Sequence, residues 1–275
     1  MSEKNCKGKT PEDYGFHMPE KKNSFKIDLN EKSSVKKIIG VVSGKGGVGK
    51  SFVTSMLACE MARRGYRVGV LDGDITGPSQ TKAFGIHEKA MGDGKYIYPY
   101  ITKNGIQVIS TNMILDSDET PVIWRGPMVA NILKQFYTDV VWDNVDYMFV
   151  DMPPGTSDVP LTAFQSFPLD GIVVVTSPQE LVSMVVEKAI NMAQSMDIKV
   201  LGLIENMSYV ECPNCNEKIE IFGKSHINEV SEKYGLPVLA KIPMRQQVAA
   251  SADDGTMEDL EIPEIKDAVS FIEGQ

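Results

Sequence analysis

No apolar run in this chain approaches the ~18 residues that a membrane-spanning helix needs, and the N-terminus is polar. Neither a membrane span nor a signal peptide is expected. Positive charge is also scarce, with a formal net charge of −9, a sequence pI near 5.0 and no clustering of Lys and Arg with aromatics. Nucleic-acid binding needs gathered cations to neutralise phosphates, so no nucleic-acid partner is expected. Residues 251–275 hold eight acids (Asp253, Asp254, Glu258, Asp259, Glu261, Glu264, Asp267, Glu273) against one base, Lys266, and an anionic bilayer would repel them. There is no internal repeat and no low-complexity segment. These absences lead to the expectation of a cytoplasmic protein with no membrane partner.

What is present suits one large domain. At 275 residues, 42% apolar and 24% charged, the chain can bury one substantial core, and single α/β domains commonly reach ~250 residues. Residues 1–36 are rich in Lys, Glu, Asn and Ser with little apolar periodicity, which predicts a flexible polar tail ahead of a domain at 37–275. Short apolar strands then alternate with helical stretches: Ile38–Ser43, Arg67–Leu71, Ile106–Ser110, Tyr147–Asp151, Gly171–Thr176, Val200–Ile204 and Val238–Ile242. Such alternation predicts an α/β fold, a doubly wound and mostly parallel sheet with helices on both faces. A helix over Pro178–Met196 carries the one-sided stripe Leu181, Val182, Val185, Val186 and Ile190.

The segment Ile38–Arg64 runs from a buried-strand pattern through GKGGVGKS into a helix. Gly44, Gly49, Lys50 and Ser51 fit G-x-x-x-x-G-K-[ST], the phosphate-binding loop of nucleotide hydrolases. Its backbone N–H groups cradle phosphates, the lysine reaches the terminal phosphates and the hydroxyl ligates Mg²⁺. The nucleotide-binding set is therefore Gly44, Lys45, Gly46, Gly47, Val48, Gly49, Lys50, Ser51 and Phe52. Lys45 is a second lysine in this loop, and beside Lys50 its charge is best used on another phosphate.

Two acidic motifs fall at strand ends, where doubly wound sheets gather function. Tyr147–Asp151 is an apolar strand ending in a carboxylate, the arrangement that holds Mg²⁺ directly or through water. Asp72 and Asp74 lie in LDGDITGPS, where a carboxylate near Mg²⁺ and a γ-phosphate can position the attacking water. Cys212-Pro213-Asn214-Cys215 is a third constellation. Two thiolates with two residues between them bind one metal centre from a tight turn but supply half of a four-ligand shell. From spacing alone a structural zinc, an iron–sulfur cluster and an unligated turn remain open, zinc first, and a twofold axis that joined two such turns would complete either metal centre. Cys59 lies on an apolar helical stretch and reads as packing. Cys6 stands alone in the tail, and His17, His87 and His226 have no matching ligand partner.

GKGGVGKS resembles the deviant loop of the dimeric ATPases that include MinD, ParA, the nitrogenase iron protein and the Mrp/ApbC carriers. In those families the equivalent of Lys45 crosses the dimer interface to the partner's nucleotide. Phe52 departs from their usual threonine, so a hydroxyl contact to the nucleotide is lost. ENMSYVECPNCNEKIEIFGKSH with LPVLAKIP, GPS and DMPPGTSD resembles the signature of the Mrp/ApbC (Nbp-type) iron–sulfur carriers across roughly residues 35–255. The resemblance implies an ATPase, slow without a partner, that carries a 4Fe-4S cluster on Cys212 and Cys215 at a homodimer interface and delivers it to recipient apo iron–sulfur proteins. It also implies that Asp74, and Asp72 after it, orients water, that Gly155 offers its N–H to the γ-phosphate, and that Asn206 contacts adenine. The eukaryotic branch adds a four-cysteine site in its tail; with Cys6 alone, that second cluster is not expected. The alternatives are a positioning ATPase of MinD/ParA type and a zinc-stabilised nucleotide-binding protein.

Overall fold

The computed structural model describes residues 27–275 apart from 76, 115–125, 156–157 and 180–181. The tail to residue 26 with Cys6 and His17, and also Thr76, Thr156 and Leu181, lie outside the described residues. The first half contains β1 (Val35–Ser43), α1 (Lys50–Arg63), β2 (Val68–Asp72), α2 (Gln80–Ala83), β3 (Met91–Gly92), β4 (Ile97–Tyr98), β5 (Tyr100–Ile101), β6 (Gln107–Ile109) and α3 (Gly126–Thr138). The middle holds β7 (Val145–Asp151), α4 (Asp158–Ser166), β8 (Gly171–Thr176), α5 (Val182–Ser195) and β9 (Val200–Asn206). Then come β10 (Val210–Glu211), β11 (Lys218–Ile219), α6 (Ile227–Tyr234), β12 (Val238–Ile242), α7 (Gln246–Asp254) and α8 (Pro263–Glu273).

β2, β8 and most of β1, β7 and β9 are buried residue after residue, as strands covered on both faces must be. They form the centre of an eight-stranded sheet in the order β12-β9-β8-β1-β7-β2-β6-β5. Every pairing in it is parallel except β5 with β6. The chain winds from β1 toward β2 on one side and from β8 through β9 to β12 on the other. Right-handed crossovers then place α1 on one face and α5 and α6 on the opposite face. The direction of winding reverses beside β1, and ligands in such sheets sit outside the strand ends at that reversal.

All seven strands expected from the sequence are present. β5 was not legible: two residues, Tyr100 and Ile101, cap the sheet edge antiparallel to β6, too short a run to show periodicity. The tail boundary also needs correction. Ile27 and Leu29 pack against the core, and Asn30 donates from Nδ2 to the carbonyls of Thr138 and Val140, each at 2.8 Å. The domain therefore begins before residue 37, because side-chain hydrogen bonds fix a stretch that has little apolar patterning. Part of the acidic C-terminus, Glu264, Asp267 and Glu273, belongs to a packed helix: α8 starts on Pro263, and Ile265, Ala268, Val269 and Ile272 are buried at i, i+3, i+4 and i+7. Glu258 before it is instead buried and accepts from Thr102 Oγ1 at 2.7 Å.

Candidate nucleotide site and cysteine turn

β1 delivers the chain to Gly44, and α1 begins at Lys50. Two glycines are forced by contact. A Cβ on Gly44 would lie 2.6 Å from the Val185 carbonyl oxygen. Gly49 has φ +82°, and a Cβ there would meet the Asn206 amide nitrogen at 2.1 Å. Gly49 caps α1 without a side-chain hydrogen bond, and no acid lies in the first turn. The first-turn N–H groups and the helix dipole therefore favour an anion.

Lys50 is 5% exposed and forms an ion pair with Oδ1 of the fully buried Asp151; Asp74 Oδ2 lies 3.9 Å from the same ammonium. Asp151 is held further by Thr54 Oγ1 at 3.4 Å and by the Gln80 amide, whose Nε2 donates to Oδ2 at 2.8 Å. The same Nε2 reaches the Ser51 carbonyl at 3.1 Å, and Ser55 donates to Gln80 Oε1 at 2.8 Å. Gln80 thus ties the carboxylate ending β7 to the first turn of α1. No motif in the sequence singles out Gln80; its only signal is its place directly after the GPS turn.

The two aspartates of the second motif differ in environment. Asp72 is buried and stands level with Asp151 in the β2–β7 register. Burial, with the Asp151 charge next, pushes its carboxyl up to about 7, against donors from Gln80 N–H, the Lys50 charge and the Ser110 hydroxyl. It accepts from the N–H groups of Asp74, Ser79 and Gln80 at 3.1–3.2 Å, and from Ser110 Oγ at 3.0 Å. Asp72 therefore organises the turn that carries Asp74. Asp74 is the partly accessible carboxylate, with a side chain 15% exposed.

Other predicted residues are engaged within the chain. Lys45 donates to Gln179 Oε1. The Gly155 N–H, expected to face the γ-phosphate, donates here to the Ser43 carbonyl at 2.9 Å, and a phosphate contact requires that bond to exchange. Asn206 is buried and donates from Nδ2 to the Val48 carbonyl at 3.0 Å, which seats the phosphate loop on the end of β9. Phe52 packs partly buried against the core.

The cysteine pair lies at the tip of the β10–β11 hairpin, closed by Cys212 N–H to Glu217 C=O and Asn216 N–H to Cys212 C=O, both 2.9 Å. Asn216 takes the left-handed conformation that asparagine tolerates, with φ 58°. The N–H groups of Asn214 and Cys215 point at Cys212 and hold its thiol below the ordinary value, which favours the thiolate that binds metal. Cys215 is exposed. Among the described residues no group of three or more His, Cys, Asp and Glu gathers as a metal cage. Cys59 is buried, and burial pushes its thiol up to about 12, as suits a packing residue. His226 caps α6 and lies 3.2 Å from Glu229. Among the described residues, no helix is long and apolar enough to cross a membrane.

Comparison with known proteins agrees with this arrangement. An iron–sulfur cluster carrier protein of Clostridium perfringens is 46% identical over 234 residues, 82% of each chain. One from Methanocaldococcus jannaschii is 43% identical over 81% of this chain and 78% of its own. The nucleotide-binding protein of Archaeoglobus fulgidus, solved in complex with ADP, superposes with a TM-score of 0.75 at 39% identity, covering 84% of this chain and 90% of that one. The cell-division ATPase MinD of Pyrococcus furiosus shares the fold, with a TM-score of 0.62 at 19% identity over 86% of this chain and 98% of its own. Residues 34–273 match the family described as NUBPL iron-transfer P-loop NTPase, and the chain belongs to that family.

Proposed function

We propose that this protein is an ATP-hydrolysing iron–sulfur cluster carrier that holds a 4Fe-4S cluster between two chains and passes it to apoproteins. The observation that carries the reading is that Cys212 and Cys215 share the tip of a small exposed hairpin in the same chain as a complete phosphate loop. Two thiols on one chain are half of a Cys₄ shell, so a twofold axis completes it. Ile219, Ile221, Phe222 and Met244 are exposed on or beside the hairpin, which supports burial of that face in a homodimer. The relatives named as carriers support the cargo.

In this reading the first-turn N–H groups of α1 and the loop amides bind the phosphates, and Lys50 neutralises the terminal ones. The Ser51 hydroxyl and the Asp151 carboxylate are hard oxygen donors, a set that suits Mg²⁺; they would hold the ion, which would supply charge neutralisation at the phosphates. Asp74 orients the water that attacks the γ-phosphorus, and the bond to the β–γ bridging oxygen breaks to release ADP and phosphate. Asp72, sealed beneath four donors, holds the turn. Lys45 exchanges Gln179 for the partner's nucleotide. Asn206 retains Oδ1 for the base while Nδ2 holds Val48.

Anaerobic reconstitution of the full chain tests the proposal. About four irons with sulfide per dimer are expected, as for a Cys₄-ligated cubane. Cys212→Ala or Cys215→Ala should strip both ends of the bridge at once and spare ATP binding. Zinc uptake with refusal of iron, or full iron retention in either variant, overturns the carrier reading.

A further inference from the structure

β9 ends in two side chains that grip different parts of the molecule. Alternation along a strand sends successive residues to opposite faces. Asn206 reaches the Val48 carbonyl in the phosphate loop. Glu205, 1% exposed, accepts from Ser208 Oγ through Oε2 at 2.5 Å and from Ser225 Oγ through Oε1 at 2.6 Å. Ser208 and Ser225 stand at the two ends of the excursion that carries Cys212 and Cys215. One carboxylate therefore closes the base of the cysteine hairpin.

This attachment is short and strong, while the hairpin's own pairing is slight. β10 and β11 share two residue pairs, and little else described in the excursion is buried. Hydroxyl bonds to a carboxylate are about twice as strong as neutral ones, and a buried carboxylate depends on them. The backbone beneath is fixed on both sides: Glu205 stands level with Thr176 of β8 and Lys241 of β12, and Asn206 with Ile242. Ser208 N–H also bonds the Ile242 carbonyl at 2.9 Å. A displacement of the phosphate loop at Val48 thus meets a rigid strand end whose neighbouring side chain holds both feet of the hairpin.

We propose that Glu205 is a positioning residue that couples the phosphate loop to the cysteine hairpin, so that nucleotide occupancy alters the reactivity of Cys212 and Cys215. The inference rests on the carrier reading for its purpose but not for its measurement. Coupling between two sites is reciprocal, so cargo on the cysteines changes nucleotide affinity by the same factor.

The test is the alkylation rate of Cys212 and Cys215 by iodoacetamide in the reduced, full-length protein, read by peptide mass spectrometry with and without ATP. Buried Cys59 should stay unmodified and so reports that the chain remains folded during the reaction. ATP should change the wild-type rate at least about fivefold, the lower end of usual coupling. Ser225→Ala and the isosteric Glu205→Gln should bring that ratio to within about twofold of one, with ATP affinity and the melting temperature near wild type. A merely structural role would move the melting temperature and leave the ratio. Should Glu205→Gln fail to fold, Ser225→Ala carries the test, because it deletes one hydroxyl at a half-buried edge. A wild-type ratio of one, or a wild-type ratio retained in Ser225→Ala, overturns the coupling. Iron uptake by the wild-type protein, measured separately, decides the carrier reading.

Discussion

Lys50→Ala separates two consequences of a single buried cation. Lys50 is 5% exposed and Asp151 fully buried, so removing the ammonium leaves a carboxylate without its countercharge. Breaking a buried pair from one side costs about 3–5 kcal/mol. Asp151 keeps the Gln80 amide and the Thr54 hydroxyl, which places the loss near the lower figure, about 3 kcal/mol. For a domain of this size that corresponds to a melting temperature lower by roughly 6–12 °C. Lys50→Ala combined with Asp151→Asn removes the stranded charge and should recover part of that stability. It should recover none of the activity, because losing one preorganised electrostatic group commonly costs about 10²–10³ in kcat. Calorimetry and a phosphate-release assay on the single and double variants measure both. Wild-type turnover in Lys50→Ala, or a double variant less stable than the single, would refute the reasoning.

Lys45→Ala should spare ATP binding and impair hydrolysis, with activity partly restored in mixed dimers with Lys50→Ala; a defect confined to each chain's own site contradicts the crossing role. Asp72 also predicts a pH dependence. Its carboxyl is raised from 3.8 to about 7, so the folded state holds the proton more tightly, and its contribution to stability is full below about pH 4 and fades as pH rises through about 7. Denaturant midpoints followed across that window should flatten in Asp72→Asn. An unchanged slope in the variant would assign the pH dependence elsewhere.

The sheet was legible because its strands are buried on both faces. The run Gly171–Thr176 carries β-branched residues buried throughout, and the edge strand Val238–Ile242 is apolar except for Lys241; the bounds of both agree with the structure. Elements that owe their place to hydrogen bonds rather than apolar pattern were not legible. Asn30 anchors the segment before β1 through one amide, and nothing in composition distinguishes that asparagine from its neighbours. The same holds for Gln80, whose amide joins Asp151, the Ser51 carbonyl and Ser55. A motif records which residue types are present at a spacing. It does not record which long-range partner each one takes.

The paired acids show what the fold adds to a motif. In the sequence Asp72 and Asp74 are two carboxylates at one strand end, and only the family resemblance ranks Asp74 ahead of Asp72 for the attacking water. Parallel register sets Asp72 beside Asp151 inside the sheet, where burial and a like charge drive it toward the neutral form and three N–H groups with a hydroxyl surround it. A group so enclosed lacks a path to solvent. Asp74, two residues on, has left the strand and keeps a partly accessible side chain 3.9 Å from Lys50. The proposed hydrolysis needs a carboxylate that water can reach beside a cation, and of the two acids the geometry favours Asp74 for that role. The buried acid thereby anchors the turn that carries Asp74, as Glu205 anchors the base of the hairpin that presents the cysteines.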